Sequence, residues 1–118
     1  MAIDQHAASK PITEDCVALS DPTRLRIVEL LAGQDRCVCH LINDLELGQS
    51  IISHHIGVLR RSGLITSYPH PHDRRWMYYR LDRERIEQLG HALLRLARTD
   101  EYNPERLACP IDINEDGE

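Results

Sequence analysis

Apolar residues recur at intervals of three and four along most of this chain, and the period changes after Gly63 and again after Leu81. The first such segment, "ITEDCVALS", is short and partly apolar and predicts a helix. "SDPTRLRIVELLAG" predicts a second, with Ser20 or Asp21 to cap it, Pro22 in its first turn and Gly33 to end it. Its inner face carries Ile27, Val28 and Leu31, with Leu25 and Leu30 beside them. Val38, Leu41, Ile42 and Leu45 then share one face of a short helix, which Gly48 breaks. "SIISHHIGVLRRSG" turns Ile52, Ile56 and Leu59 inward and stops at Gly63. Two helices joined by a short turn containing glycine are a helix-turn-helix signature.

Beyond Gly63 the residues favour strands. "LITSY" and "WMYYRL" flank "PHPHDRR", which predicts a hairpin with a polar, basic tip. Ile86, Leu89, Leu93 and Leu96 then mark a long amphipathic helix. The fold class expected is mainly α with a small β-hairpin, a winged helix-turn-helix. The expected organisation is one domain over residues 1–98 and an acidic, loose tail over 99–118.

Charge sharpens this picture. The net charge is −5, but it is unevenly spread. Residues 22–83 hold nine arginines against six acids, while residues 84–118 hold four arginines against nine acids. A local basic stripe can meet phosphate even in an acidic chain. On the helix starting near Ser50, the face opposite the isoleucines shows Ser50, Ser53, His54, Gly57 and Arg61. Short polar groups there can reach base edges in the major groove, and the helix-turn-helix context favours that reading over an ordinary solvated face. Arg74 and Arg75 at the hairpin tip are candidates for the neighbouring backbone or minor groove, against a plain exposed turn. Trp76, Tyr78 and Tyr79 read as sheet packing rather than stacking platforms for single strands.

The cysteines raise the question of a ligand. The polar opening "MAIDQHAASKPITED" has no hydrophobic signal region, and no stretch is long and apolar enough to span a membrane. The expected setting is cytoplasmic, where thiols stay reduced. Cys37 and Cys39, one residue apart in "RCVCHL", would form a strained ring if joined, so they read as soft ligands or a redox pair rather than a structural disulfide. In a regular helix they would point about 200° apart. They can act together only if Cys37 precedes the helix or its first turn opens. A thiol at a helix start is readier to act as a thiolate, and binding there can tug on the helix supporting the recognition helix. Cys16 has a bland alternative as a small buried apolar residue. No Ser-His-Asp pattern, phosphate loop or zinc-hydrolase motif is present, so no enzyme is expected.

Four stretches in order, "ALSDPTRLRIVELL", "CVCHL", "QSIISHHIGVLRRSGLI" and "RRWMYYRL", resemble the ArsR/SmtB family of metal-sensing repressors over roughly residues 16–82. The resemblance implies a homodimer whose first and last helices form the interface. It implies that Gln49, Ser50, Ser53 and His54 meet double-stranded operator DNA. It also implies that ligand binding releases the operator. Within the family "CVCDL" marks the arsenical-resistance and cadmium/lead-sensing branches, and His40 here replaces the usual acid. Arsenic(III) or antimony(III), the expected inducers, take three sulfurs, and members carrying "CVCDLC" supply the third three residues on, where this chain has Ile42. The third ligand must be borrowed, from Cys109 in the tail or, in competition, from Cys16, where an apolar residue would pack well. Cadmium(II), lead(II) or zinc(II), and a thiol-based redox response, are the alternatives. His40 could assist zinc, or be a plain surface histidine. The family's second metal site, on the last helix, is expected to be absent, because Arg95 and an out-of-step His91 replace the partners of Asp82 and Glu84.

Overall fold

The computed structural model describes residues 12–98, 100 and 102–105. Helix α1 spans Ile12–Leu19, α2 Pro22–Gly33, α3 Val38–Leu45, α4 Gln49–Ser62 and α5 Arg83–Ala97. Strands β1 (Arg36–Cys37), β2 (Ile65–Pro69) and β3 (Met77–Leu81) form an antiparallel sheet in the order β1-β3-β2.

The helix boundaries follow from local chemistry. Asp21 caps α2: its Oδ2 accepts the backbone N–H groups of Thr23 at 2.8 Å and Arg24 at 3.1 Å, with Pro22 following at once. Gly63 ends α4 with φ of 92°, a left-handed conformation that costs a residue without Cβ little. Between α3 and α4, however, the left-handed residue is Glu46, at φ 56°, whereas Gly48 is extended and starts α4.

Ile27, Leu31, Leu41, Ile52, Leu59, Leu64 and Ile65 are fully buried and join α2, α3, α4 and β2 into one core. Each contributes about 1.5–3 kcal/mol relative to exposure. Expected and observed inward faces coincide for α2 and α4. The sheet differs from the sequence reading. The small sheet has three strands rather than the two of a hairpin, because the extended residues before α3 pair with β3, Arg36 with Tyr79 and Cys37 with Tyr78. On α5 only Leu89 is buried, and Leu93, Leu94 and Leu96 stand exposed to 46%, 45% and 71%. No helix among the described residues is long and apolar enough to cross a membrane.

Candidate functional site

Two groups of side chains carry chemistry: a thiol cluster where β1 passes into α3, and the exposed polar residues of α4 and of the hairpin tip. Cys37 is the residue before α3, with extended backbone at φ −91° and ψ 170°. That conformation swings its side chain to the same side as Cys39 in the first helical turn. The sulfurs of Cys37 and Cys39 and a ring nitrogen of His40 all lie within 4.8 Å of one another. The two cysteines are joined as a disulfide with a Cα–Cα separation of 5.3 Å. The expectation that so small a ring would not close is corrected: Cys37 precedes the helix, one of the two arrangements the sequence allowed, and its extended backbone brings the two sulfurs together.

His40 belongs to this cluster as well as to the surface. Its Nδ1 accepts the backbone N–H of Cys37 at 3.2 Å. Cys37 is buried and Cys39 and His40 are exposed, so the cluster opens on one side only. After reduction it offers two thiolates and an imidazole, a donor set for soft or borderline ions. Cys16 lies outside the cluster and is exposed on α1, which corrects the expectation that an apolar residue would pack at its position. Cys109 lies outside the described residues. Asp82 caps α5, its Oδ1 accepting the Arg85 N–H at 3.1 Å.

The second group follows α4. Gln49, Ser50, Ser53, His54 and Arg61 are all exposed, and Ser50, His54, Gly57 and Arg61 fall on one stripe opposite the buried isoleucines. The Arg61 guanidinium lies along this stripe over Gly57, where an added Cβ would come within 3.2 Å of Nη1. Ile51, exposed on the first turn of α4, lies outside the set the polar pattern picks out. Its apolar character is the only signal, and it suits contact with a thymine methyl group. At the hairpin the two arginines differ. Arg75 forms a bidentate pair with Asp73, Nε to Oδ1 at 2.9 Å and Nη2 to Oδ2 at 2.8 Å. This pair holds the Asp73 carboxyl below its usual range. Arg74 is exposed and makes no ion pair among the described residues. Replacing Arg74 with alanine should therefore lower the log–log salt slope of DNA binding by about 0.9, one phosphate contact, and replacing Arg75 should lower it less. His54→Ala and Ser53→Ala should weaken binding by about 1–3 kcal/mol with the fold intact. Unchanged affinity in both at physiological salt would remove the recognition role from this face.

A third set of contacts anchors the recognition helix. Arg24 of α2 reaches back to Ala18 O at 2.7 Å, and its Nη1 meets His55 Nδ1 on α4 at 3.1 Å. His55 Nε2 lies 4.0 Å from Asp21. Burial pushes the His55 imidazole below its ordinary value of 6.5, against the pull of Asp21 and with the push of Arg24. The unfolded chain therefore takes up this proton first. Stability present above pH 6.5 is lost as pH falls below it. Melting temperature should decline on acidification, and His55→Gln should flatten that decline. An equal slope in the variant would place the titration elsewhere.

Comparison with known proteins fits this geometry. A profile described as "Bacterial regulatory protein, arsR family" matches residues 21–67, from the α2 cap through the recognition helix into β2. The chain is 34% identical over 73 residues to an uncharacterized HTH-type transcriptional regulator of Methanocaldococcus jannaschii, covering 61% of this chain and 79% of that one. It is 40% identical over 89 residues to an arsenic resistance transcriptional regulator of Pseudomonas putida, covering 72% and 62%. A crystal structure described as a possible transcriptional regulator for arsenical resistance superposes with a TM-score of 0.62 at 30% identity, covering 74% of this chain and 88% of the other.

Proposed function

We propose that this chain, which belongs to the ArsR family of bacterial regulatory proteins, is a homodimeric repressor that leaves its operator when a thiophilic ion binds at the start of α3. As a member of that family it is a DNA-binding transcriptional regulator and not an enzyme. The observation that carries the sensing part is the convergence of Cys37, Cys39 and His40 on the helix that precedes the recognition helix. The exposed Leu93, Leu94 and Leu96 on α5 support self-association, since a large apolar stripe left in water marks an interface.

The inducer we favour is arsenic(III) or antimony(III), in keeping with the arsenic-resistance name of the Pseudomonas relative. Each thiol would displace one hydroxyl of the hydrated metalloid as water. Cys37 and Cys39 supply two sulfurs, and Cys109 is our candidate for the third. The exposure of Cys16 strengthens its competing claim, within or between protomers. Two other readings each rest on an observation. His40 in the cluster favours cadmium(II), lead(II) or zinc(II), which accept imidazole beside thiolate. The Cys37–Cys39 disulfide favours a redox response, in which hydrogen peroxide takes two electrons and two protons from the two thiols, forming the disulfide and two waters.

One experiment separates them. A duplex is selected from a randomised library by the reduced protein, and its release is followed during titration with arsenite and with cadmium. Release by arsenite at the lower concentration is the expected result. Release by neither ion, but by oxidation of the thiols, would replace ion sensing with the redox response.

A further inference from the structure

The thiol cluster and the wing meet at one side chain. Cys37 pairs with Tyr78 and Tyr78 with Tyr68 across the three strands, so all three side chains project from one face of the sheet. The ring of His40 meets the Tyr78 ring edge-on, with centroids 6.1 Å apart. Tyr78 in turn lies 5.8 Å from the Tyr68 ring and 5.4 Å from the His70 ring. His70 holds the root of the hairpin tip. Its N–H donates to Trp76 O at 2.8 Å, and its Nδ1 accepts the N–H groups of His72 at 3.0 Å and Asp73 at 3.1 Å. A chain of ring contacts thus runs from the cluster, through Tyr78, to the turn that carries Arg74.

The other route out of the cluster is stiffer. α3 meets the recognition helix through Leu41, which is fully buried in the common core. Sliding α3 past α4 would repack a close-packed interior. Tyr78 is only half-buried.

Building on ion sensing at Cys37 and Cys39, we infer that Tyr78 is the positioning residue that passes occupancy of the cluster to the wing. DNA is then released first by displacement of the hairpin tip and Arg74, before the base-reading face of α4 changes. Cys37 belongs to β1 and His40 to the first turn of α3, and both border Tyr78. Drawing their donor atoms around an ion moves two neighbours of that ring at once.

Trp76, the single tryptophan of the chain, stands 50% exposed in the hairpin, so its emission reports on the wing. The reduced full chain is titrated with cadmium(II) alone. Sulfur-to-cadmium charge-transfer absorption reports binding, Trp76 emission reports the wing, and affinity for the selected duplex is measured across salt concentrations. In the wild type, emission should change in step with absorption. Duplex affinity should fall by roughly 5–150-fold. The residual binding should have a salt slope flatter by about 0.9, as if one phosphate contact were gone. Tyr78→Leu should keep the absorption and the ion-free affinity, yet lose the emission change and most of the release. Tyr78→Phe, which keeps the ring, should restore both. If Tyr78→Leu does not fold, His70→Gln breaks the same chain on the wing side and should uncouple release in the same way.

Normal release in the Tyr78→Leu or His70→Gln variant would overturn the wing route and leave ion sensing standing. So would a silent Trp76 in wild type that binds cadmium and releases the duplex. No charge-transfer absorption in the wild type would instead defeat cadmium sensing at the cluster, and this route with it.

Discussion

Cys37→Ser and Cys39→Ser are each expected to bind the selected duplex as tightly as the wild type and to lose their response to arsenite. Neither thiol lies on the stripe formed by Ser50, His54 and Arg61, and serine replaces each sulfur with an atom of similar reach. Their loss should therefore leave DNA affinity alone. A metalloid centre that takes three sulfurs would keep only one local thiolate, and its affinity should drop by far more than tenfold, since each 1.4 kcal/mol is a factor of ten. X-ray absorption with arsenite then identifies the third donor. If it is Cys109, Cys109→Ser alone should lower the coordinating sulfurs from three to two, while Cys16→Ser leaves them unchanged. A variant lacking both Cys16 and Cys109 that still shows three sulfurs would point to a site shared between the Cys37 and Cys39 of two protomers. Loss of DNA binding before any ion is added would make the pair structural.

The parts of this molecule legible in its sequence are those whose cause is local. The α2 boundary is set by Asp21 and Pro22, and the end of α4 by Gly63, all residues within the element or adjoining it. The inward faces of α2 and α4 follow from the spacing of Ile27, Val28, Leu31, Ile52, Ile56 and Leu59, which are all buried. Strand β1 was not legible, because two residues carry no period. Its existence depends on β3, some forty positions later, and it decides the geometry of the thiols. Cys37 is extended because it pairs with Tyr78, and for that reason its sulfur reaches Cys39. The weight of His40 was hidden for the same cause. Ser50, Ser53 and His54 could be chosen from one helix, whereas the difference between Arg74 and Arg75 needed the turn that brings Asp73 against only one of them.

The contact least visible in the sequence carries the largest expected effect on stability. Asp15 sits in "ITEDCVALS", and nothing in that stretch names its partner. It is 3% exposed and forms a bidentate pair with Arg85, 70 residues away, Nε to Oδ2 at 2.9 Å and Nη2 to Oδ1 at 3.1 Å. This pair ties α1 to the first turn of α5, the two elements proposed to build the dimer. Asp15→Ala would strand a guanidinium whose side chain is 18% exposed. Breaking a buried pair from one side costs about 3–5 kcal/mol, and the partial path of Arg85 to water puts the expected loss near the lower end, about 3 kcal/mol. For a domain of this size that is roughly a 10 °C fall in melting temperature. Replacing both partners with leucine should recover most of the loss, since an apolar pair leaves no uncompensated charge. Thermal and urea unfolding of the two single variants and the double variant decide the matter. A single-variant loss below about 1 kcal/mol, the value of a surface pair, would mean that α1 is held by its apolar contacts alone. If the dimer is built from these two helices, Asp15→Ala should also weaken self-association in sedimentation at concentrations where the fold is still intact.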